Sequence, residues 1–341
     1  MTQSTLHTPA EIIANIPAFL GFYPTESVVA ISIGPNGVMG PILRVDLTDA
    51  EQLNRHLENA RAASTQPPTV LCFVLSADPE EREAAAAELS ECTGVWGLAQ
   101  IETAAPYERL DAHGPTRLQR SGVWERGKVA NVATAAAMVH LVSAGDVPEL
   151  TRSDTFAYFD RPEALDDDTA AELQATVEHW GELLVQKIAD ATVAPEDLAG
   201  IMRSALLDAQ SAGAEALAPG GVPWCEEVLL PAVMWTNTYT RDLTLTAFAE
   251  GLLPAAHRCS LAAARTFTGE LRANALCVFA LTAAAQGMSV RSFPALLLAN
   301  AEQPGHRLSQ LLLQSFRRGL IKETISACFR GARCARDPQA G

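Results

Sequence analysis

Between residues 38 and 101 the chain switches repeatedly between strand-like and helix-like patterning, and this alternation restricts its fold more than any other feature. Val38 to Leu47, Val70 to Leu75 and Val95 to Ile101 are β-prone runs. Thr48-Asp49-Ala50-Glu51 reads as a capping box that leads a helix to about Ala62. Asp78-Pro79-Glu80-Glu81 starts a second helix, which runs through the alanines to about Glu91. Strand, helix, strand, helix, strand predicts right-handed crossovers and a partly parallel sheet. An antiparallel element precedes it. Ser27 to Ile33 is β-prone, Gly34-Pro35-Asn36-Gly37 is turn chemistry, and the next strand returns. Pro41 has no N–H to give a ladder, so that strand lies at an edge or a bulge.

Thr8-Pro9-Ala10-Glu11 opens a front helix by the same capping logic, and Gly21 ends it. Residues 102–127 are polar and punctuated by Pro106, Gly114, Pro115, Gly122 and Gly127, with room for one more hairpin. Val129 to Val142 is alanine-rich and reads as helix. After a loop-like stretch from Thr151 to Leu165, Asp166-Asp167-Asp168 places negative charge at the start of a long helix, where the helix dipole favours it. Leu173, Val177, Trp180, Leu184 and Ile188 form its apolar stripe. Beyond it nearly everything reads as helix, broken at Pro195, Gly213, Gly220-Gly221, Pro231, Pro254, Gly269, Gly287, Pro304 and Gly319. The expected class is α/β, with α+β as the alternative. An N-terminal mixed, partly parallel sheet with helices occupies residues 1–155. A mainly helical half occupies 156–330, and a flexible basic tail 331–341.

A chain of 341 residues, 48% of them hydrophobic, can bury two cores. The formal net charge of −15 makes nucleic acid a poor partner, because an acidic surface repels phosphate. The C-terminus is the exception: Arg317, Arg318, Lys322, Arg330, Arg333 and Arg336 face only Glu323 and Asp337. Seven scattered cysteines without a Cys-x-x-Cys pair argue against a disulfide framework and a structural zinc site. Cys72 and Cys277 lie in apolar stretches and read as small buried hydrophobes. A reducing cytoplasm fits this usage. Met1 to Thr8 does not resemble a signal peptide, and no apolar stretch favours a membrane span.

Several stretches together resemble an actinobacterial family known only as domain of unknown function 4192. Ile16-Pro17-Ala18-Phe19-Leu20-Gly21-Phe22-Tyr23-Pro24-Thr25-Glu26-Ser27-Val28-Val29 is similar to its front signature, with Gly21, Phe22, Pro24 and Ser27 at the motif positions. Arg44-Val45-Asp46-Leu47 resembles its arginine-x-aspartate-leucine strand, and Arg241-Asp242 its mid-chain pair. Ala275 to Gly287, Pro304-Gly305-His306-Arg307-Leu308 and Leu311 to Gly319 continue the likeness in the family's order. Many members carry a cysteine-cysteine-proline element where this chain has Tyr107 to Trp124 without a cysteine, so no zinc or redox role carries over. The resemblance implies the α/β-plus-helical architecture and an actinobacterial origin. It implies no activity.

Gly-x-Gly-x-x-Gly, the Walker loop, Gly-x-Ser-x-Gly and His-Glu-x-x-His are all missing, so no cofactor is signalled. The glycine turns at Gly94 to Gly97 and Ala218 to Gly221 lack the flanking pattern that phosphate binding needs. The candidate ligand pocket comes from topology instead. Open α/β sheets bind ligands beyond the carboxyl ends of their parallel strands. Those ends carry Arg44, Asp46, Thr48, Asp78 and Glu102, a set suited to Mg²⁺ or a sugar-like ligand. The competing account makes Thr48 and Asp78 helix caps and Arg44–Asp46 a brace within the fold. Trp180, Trp224 and Trp235 read as packing anchors, and Arg258, Arg265 and Arg272 as a solvated stripe with partner docking as the alternative.

Two functions follow. The preferred one is a non-enzymatic interaction or regulatory protein that meets a protein partner or another copy of itself through the helical half. The other is a metabolite-binding protein or Mg-dependent enzyme that uses the strand ends.

Overall fold

The computed structural model describes residues 8–34, 39–62, 69–110, 122–143, 145–211, 226–245 and 251–336. The turn residues 35–38, the glycines at 213, 220 and 221, Trp224 and the last five residues therefore lie outside it. The chain divides into two compact units, Met1–Asp154 and Thr155–Gly341.

Helix α1 (Pro9–Leu20) begins as its sequence dictates. Thr8 Oγ1 accepts the Glu11 N–H, the Glu11 carboxylate accepts the Thr8 N–H, and Pro9 fills the first turn. Gly21 closes it at φ 80°, a left-handed conformation that a side chain would strain, and its N–H reaches Pro17 O at 2.8 Å. Strands β1 (Ser27–Ile33), β2 (Met39–Asp46), β3 (Thr69–Leu75), β4 (Gly94–Leu98), β5 (Pro106–Arg109) and β6 (Arg126–Lys128) form one sheet in the order β2-β1-β3-β4-β5-β6.

Among the described residues this sheet is mixed, with a single parallel strand pair, β3 with β4. The alternating pattern does generate crossovers through α2 (Ala50–Ala62) and α3 (Pro79–Ala87). The first carries the chain from β2 over β1 to β3, so β1 sits antiparallel between two strands that run the same way. β2, with Pro41, is an edge strand, where a missing ladder donor costs least. The polar stretch after β4 supplies the extra hairpin, β5 with β6.

Val28, Ala30, Val70, Cys72, Val74 and Val95 bury one face of the sheet against Ala50, Leu53 and Leu57 of α2 and Ala85 of α3. On the other face Val29, Ile31, Leu71, Phe73, Leu75 and Trp96 are also buried, with the Phe73 and Trp96 rings stacked at 5.5 Å. Helix α4 (Ala136–Ser143) is shorter than its composition suggests. Val129 exchanges backbone hydrogen bonds with Ala104 and Ala105 and is held extended beside them, which prevents helix there. The buried Asn15 of α1 then accepts the Ala137 N–H at 2.7 Å.

The second unit is helical: α5 (Arg152–Ala157) lies at the division, followed by α6 (Asp167–Ala189), α7 (Pro195–Ser211), α8 (Glu226–Trp235), α9 (Thr238–Thr244), α10 (Leu253–Thr266), α11 (Gly269–Ala285), α12 (Ser289–Glu302), α13 (Arg307–Arg317) and α14 (Ile321–Arg336). Asp166 caps α6 by accepting the Thr169 N–H at 2.8 Å, and that bond holds its carboxyl below the usual range. Helix α11 is buried around most of its circumference, with Leu271, Leu276, Val278, Phe279 and Leu281 all inside, and is the centre of this core. Pro231 lies inside α8 and does not break it; α8 is short, and the proline removes a single donor.

Candidate functional site

The register places the carboxyl ends of three strands together. Ser27, the first residue of β1, stands opposite Asp46 of β2 on one side and Leu75 of β3 on the other, and Leu75 stands opposite Leu98 of β4. Directly opposed residues share a face, so Ser27, Asp46 and, two residues along β2, Arg44 project the same way. The Arg44 guanidinium meets the Asp46 carboxylate at 2.5 Å and reaches Thr25 O at 3.5 Å. Ser27 Oγ and Arg44 Nε are buried, with no hydrogen-bond partner among the described residues.

The other candidates are placed differently. Thr48 sits inside a 3₁₀ turn, Leu47–Asp49, and is exposed there rather than at the cap position assigned to it. Asp78 caps α3, accepting the Glu80 N–H at 2.8 Å, while Ser76 Oγ donates to Glu81 at 2.8 Å and Arg82 to Ser76 O at 2.7 Å. Those bonds engage Asp78, Ser76 and Glu81, while Arg82 Nε is buried with no hydrogen-bond partner among the described residues. Strand β4 ends at Leu98 rather than Ile101, which leaves Glu102 exposed in the following turn, beyond the strand end. Arg44 and Asp46 are thus the part of the set that the sheet brings into contact. The front signature shapes the chain around them. Phe22 bridges Glu149, Gly21 O accepts the Glu149 N–H at 2.8 Å, and Pro24 is buried before Ser27.

In the helical unit, residues far apart in sequence build a buried polar cluster. The Arg241 guanidinium of α9 binds the Asp242 carboxylate at 2.6 Å and donates to Asn274 Oδ1 of α11 at 2.5 Å. Asn274 Nδ2 donates to Trp235 O at 2.8 Å. His306 caps α13: its Nδ1 accepts the Ser309 N–H, so Nε2 carries the proton and donates to Asn274 Oδ1 at 2.9 Å. Burial, and then the nearby Arg241 charge, lower the His306 pKa and favour the neutral ring. Cys277 Sγ lies 3.7 Å from His306 Nδ1, and burial pushes its thiol up to about 12. Cys328 of α14 is raised by burial and by Asp242. A neutral imidazole committed to a cap beside a protonated thiol makes a rigid joint, not an activated nucleophile. The sequence signal for His306 was only its Pro-Gly-His turn before an amphipathic run. Cys277 was legible only as a small buried hydrophobe, and Asn274 carried no signal.

Arg258, Arg265 and Arg272 are not a solvated stripe. Arg265 donates twice to Tyr158 O, at 2.8 and 2.5 Å. Arg272 reaches Ala264 O, Phe159 O and the Glu302 carboxylate, all within 3.0 Å. Arg258 reaches Ala209 O at 3.5 Å. Each ties a backbone carbonyl in the last turn of a helix or just beyond it. The tryptophans divide as well: Trp235 is fully buried, whereas Trp180 is 44% exposed. Gly181 takes the inward position on α6, because a Cβ there would lie 2.1 Å from Thr236 Oγ1. A shallow cavity of about 500 Å³ between α12 and α13 is lined by Leu297, Leu313, Asn300, Gln310, Gln314, Arg317 and Arg318.

Among the described residues no three His, Cys, Asp or Glu side chains gather closely enough to hold a metal ion, and no helix is long and apolar enough to cross a membrane. The architecture is that of a two-unit protein, a mixed-sheet α/β unit followed by a helical one, with its signature residues in strand-end and interhelical polar contacts. The chain belongs to the family described as Domain of unknown function (DUF4192), whose profile matches residues 9–322. No curated protein and no solved structure matches it.

Proposed function

We propose that this is a non-enzymatic interaction or regulatory protein whose helical unit docks a protein through the outer face of α6, centred on Trp180. One observation carries the reading: an indole in the middle of a 23-residue helix is exposed while its neighbour Gly181 packs inward. Leu183, three residues on, is 42% exposed and extends the apolar surface by a turn. Glu178 and Glu182 rim it with negative charge. An exposed tryptophan with an aliphatic neighbour and a charged rim has the anatomy of a binding hot spot, and its acidic rim suits a partner with basic residues around an apolar pocket. The test is a photo-crosslinking residue in place of Leu183 in the native cell. One dominant adduct, identified by mass and lost in Trp180→Ala, is expected, and it tells a partner from a second copy. No adduct, or an adduct indifferent to Trp180, overturns the reading.

A second reading, a small-molecule ligand at the Ser27–Arg44–Asp46 strand edge, has its own support in Ser27 Oγ and Arg44 Nε, both buried with no partner among the described residues. Its test is a thermal-shift screen against metabolites, nucleotides and Mg²⁺, expecting saturable stabilisation that Arg44→Ala abolishes. Equal stabilisation of both proteins would rule this edge out.

A further inference from the structure

Cys72 and Cys92 come together in the α/β unit, within the core between the sheet and helices α2 and α3. Their sulfurs are 2.7 Å apart, and both residues are buried, at 0% and 2% exposure. Non-bonded heavy atoms settle at about 3.5–4.0 Å even for carbon pairs, which are smaller than sulfur. Two sulfurs held inside that distance point at each other from positions that the backbone prescribes. Cys72 is in the middle of β3, paired with Val95 of β4. Cys92 is in the turn that leads from α3 into β4. Hydrogen bonds clamp the intervening geometry: the Thr93 N–H donates to Val70 O at 2.8 Å, and the Val70 N–H to Thr93 Oγ1 at 3.2 Å. Asn54 of α2 holds the other side of the turn, accepting the Glu91 N–H at 2.9 Å and donating to Ser90 Oγ at 3.2 Å.

We infer that Cys72 and Cys92 are a redox-active pair that closes to a disulfide under a two-electron oxidant such as a peroxide, stapling β3 to the turn before β4. The sequence spacing gave no hint of this, because a whole crossover helix separates the two cysteines. With hydrogen peroxide the step balances as follows. The Cys92 thiolate attacks the O–O bond, forming a sulfenic acid and releasing water once the leaving oxygen is protonated. The Cys72 sulfur then displaces the sulfenic oxygen as a second water. Two thiols are oxidised by two electrons and one peroxide is reduced to two waters. Cys92 reacts first because it sits on a turn that can open without breaking the sheet, whereas Cys72 is locked in a central strand. Burial raises the Cys72 thiol well above its ordinary range, which fits it to resolve the sulfenic acid rather than to attack the peroxide. The closed form fastens the α3 crossover covalently at its two ends, where the open form relies on the turn's hydrogen bonds.

The test uses the full chain, first reduced and then treated with hydrogen peroxide or diamide, with free thiols alkylated in denaturant and digested by trypsin without reduction. Cleavage at Arg82 separates the two cysteines, so a bridge joins the peptides carrying Cys72 and Cys92 into one species, two hydrogens lighter than their sum. That species, reversed by dithiothreitol and missing in Cys92→Ser, is the expected result. A rise of a few degrees in Tm on closing accompanies it. Full alkylation of both cysteines after oxidant, bridges scattered among other cysteines, or a Tm that falls on closing would overturn the inference.

Discussion

The Nε2–H of His306 meets Oδ1 of Asn274 at 2.9 Å, and the same oxygen accepts from Arg241. One buried amide of α11 therefore joins the start of α13 to the last turn of α9. Asn274 also donates one N–H to Trp235 O, so both ends of the amide are engaged and both acceptor sites of its oxygen are filled. Asn274→Ala takes one acceptor from the buried Arg241 guanidinium, which keeps Asp242, removes the partner of His306 Nε2–H and Trp235 O, and should cost about 2–4 kcal/mol in urea unfolding. A cost under ~0.5 kcal/mol would show that water replaces the amide readily.

His306 makes stability depend on pH in a stated direction. Its folded pKa lies below the ordinary 6.5, so between those two values the unfolded chain binds more protons. Stability is then complete above about pH 6.5 and falls as pH drops from there toward the folded pKa. Protonation would also put a donor on Nδ1 where the Ser309 N–H needs an acceptor. Urea unfolding at pH 7.5, 6.5 and 5.5 should show this loss, and His306→Asn should flatten it. Equal slopes in both proteins would assign the loss to other groups.

Cys277 should be inert in the folded protein. It is fully buried, and its thiol is pushed up to about 12, so almost no thiolate exists at pH 8. Timed iodoacetamide labelling with peptide mapping should modify Cys277 only after denaturant is added. Labelling of native Cys277 within minutes would contradict its placement.

Gly181→Ala should destabilise the helical unit by about 1–3 kcal/mol through overpacking. The added methyl meets Thr236 Oγ1, Cβ and Cγ2. Removing two of those atoms with Thr236→Ala in the same chain should recover part of the loss. A double mutant no better than the sum of the singles would move the strain elsewhere.

Trp180 and Trp235 should behave oppositely. Trp235→Ala opens a large cavity and should cost about 3–5 kcal/mol. Trp180→Ala should leave stability within about 0.5 kcal/mol while removing most of the iodide-quenchable fluorescence among the described indoles. Equal costs would place Trp180 in the core.

Much of the fold was legible because its causes are local. Thr8 and Glu11 form their capping box, Gly21 turns left-handed, Asp78 and Asp166 cap their helices, and Pro41 lies on an edge strand. Each depends on residues a few positions apart. The errors share the opposite origin. A 3.6-residue stripe admits Trp180, Gly181 or both, and the choice was made by Thr236, more than fifty residues away. Val129 belongs to an alanine-rich stretch but pairs with Ala104 and Ala105. Arg258, Arg265 and Arg272 have the period of a surface stripe, yet each finds a carbonyl on another part of the chain.

By itself, then, the sequence determined where most elements begin and end, the division into sheet-bearing and helical parts, and the family. Only the tertiary structure decided that a single strand pair is parallel, that Arg44 and Asp46 meet beside Ser27, that His306 finds Asn274, and that Cys72 faces Cys92. The physical reason is one of range. Caps and turns are settled by backbone groups within one helical turn, while register and buried polar partners are settled by which distant surfaces exclude water together, and no local pattern records that choice.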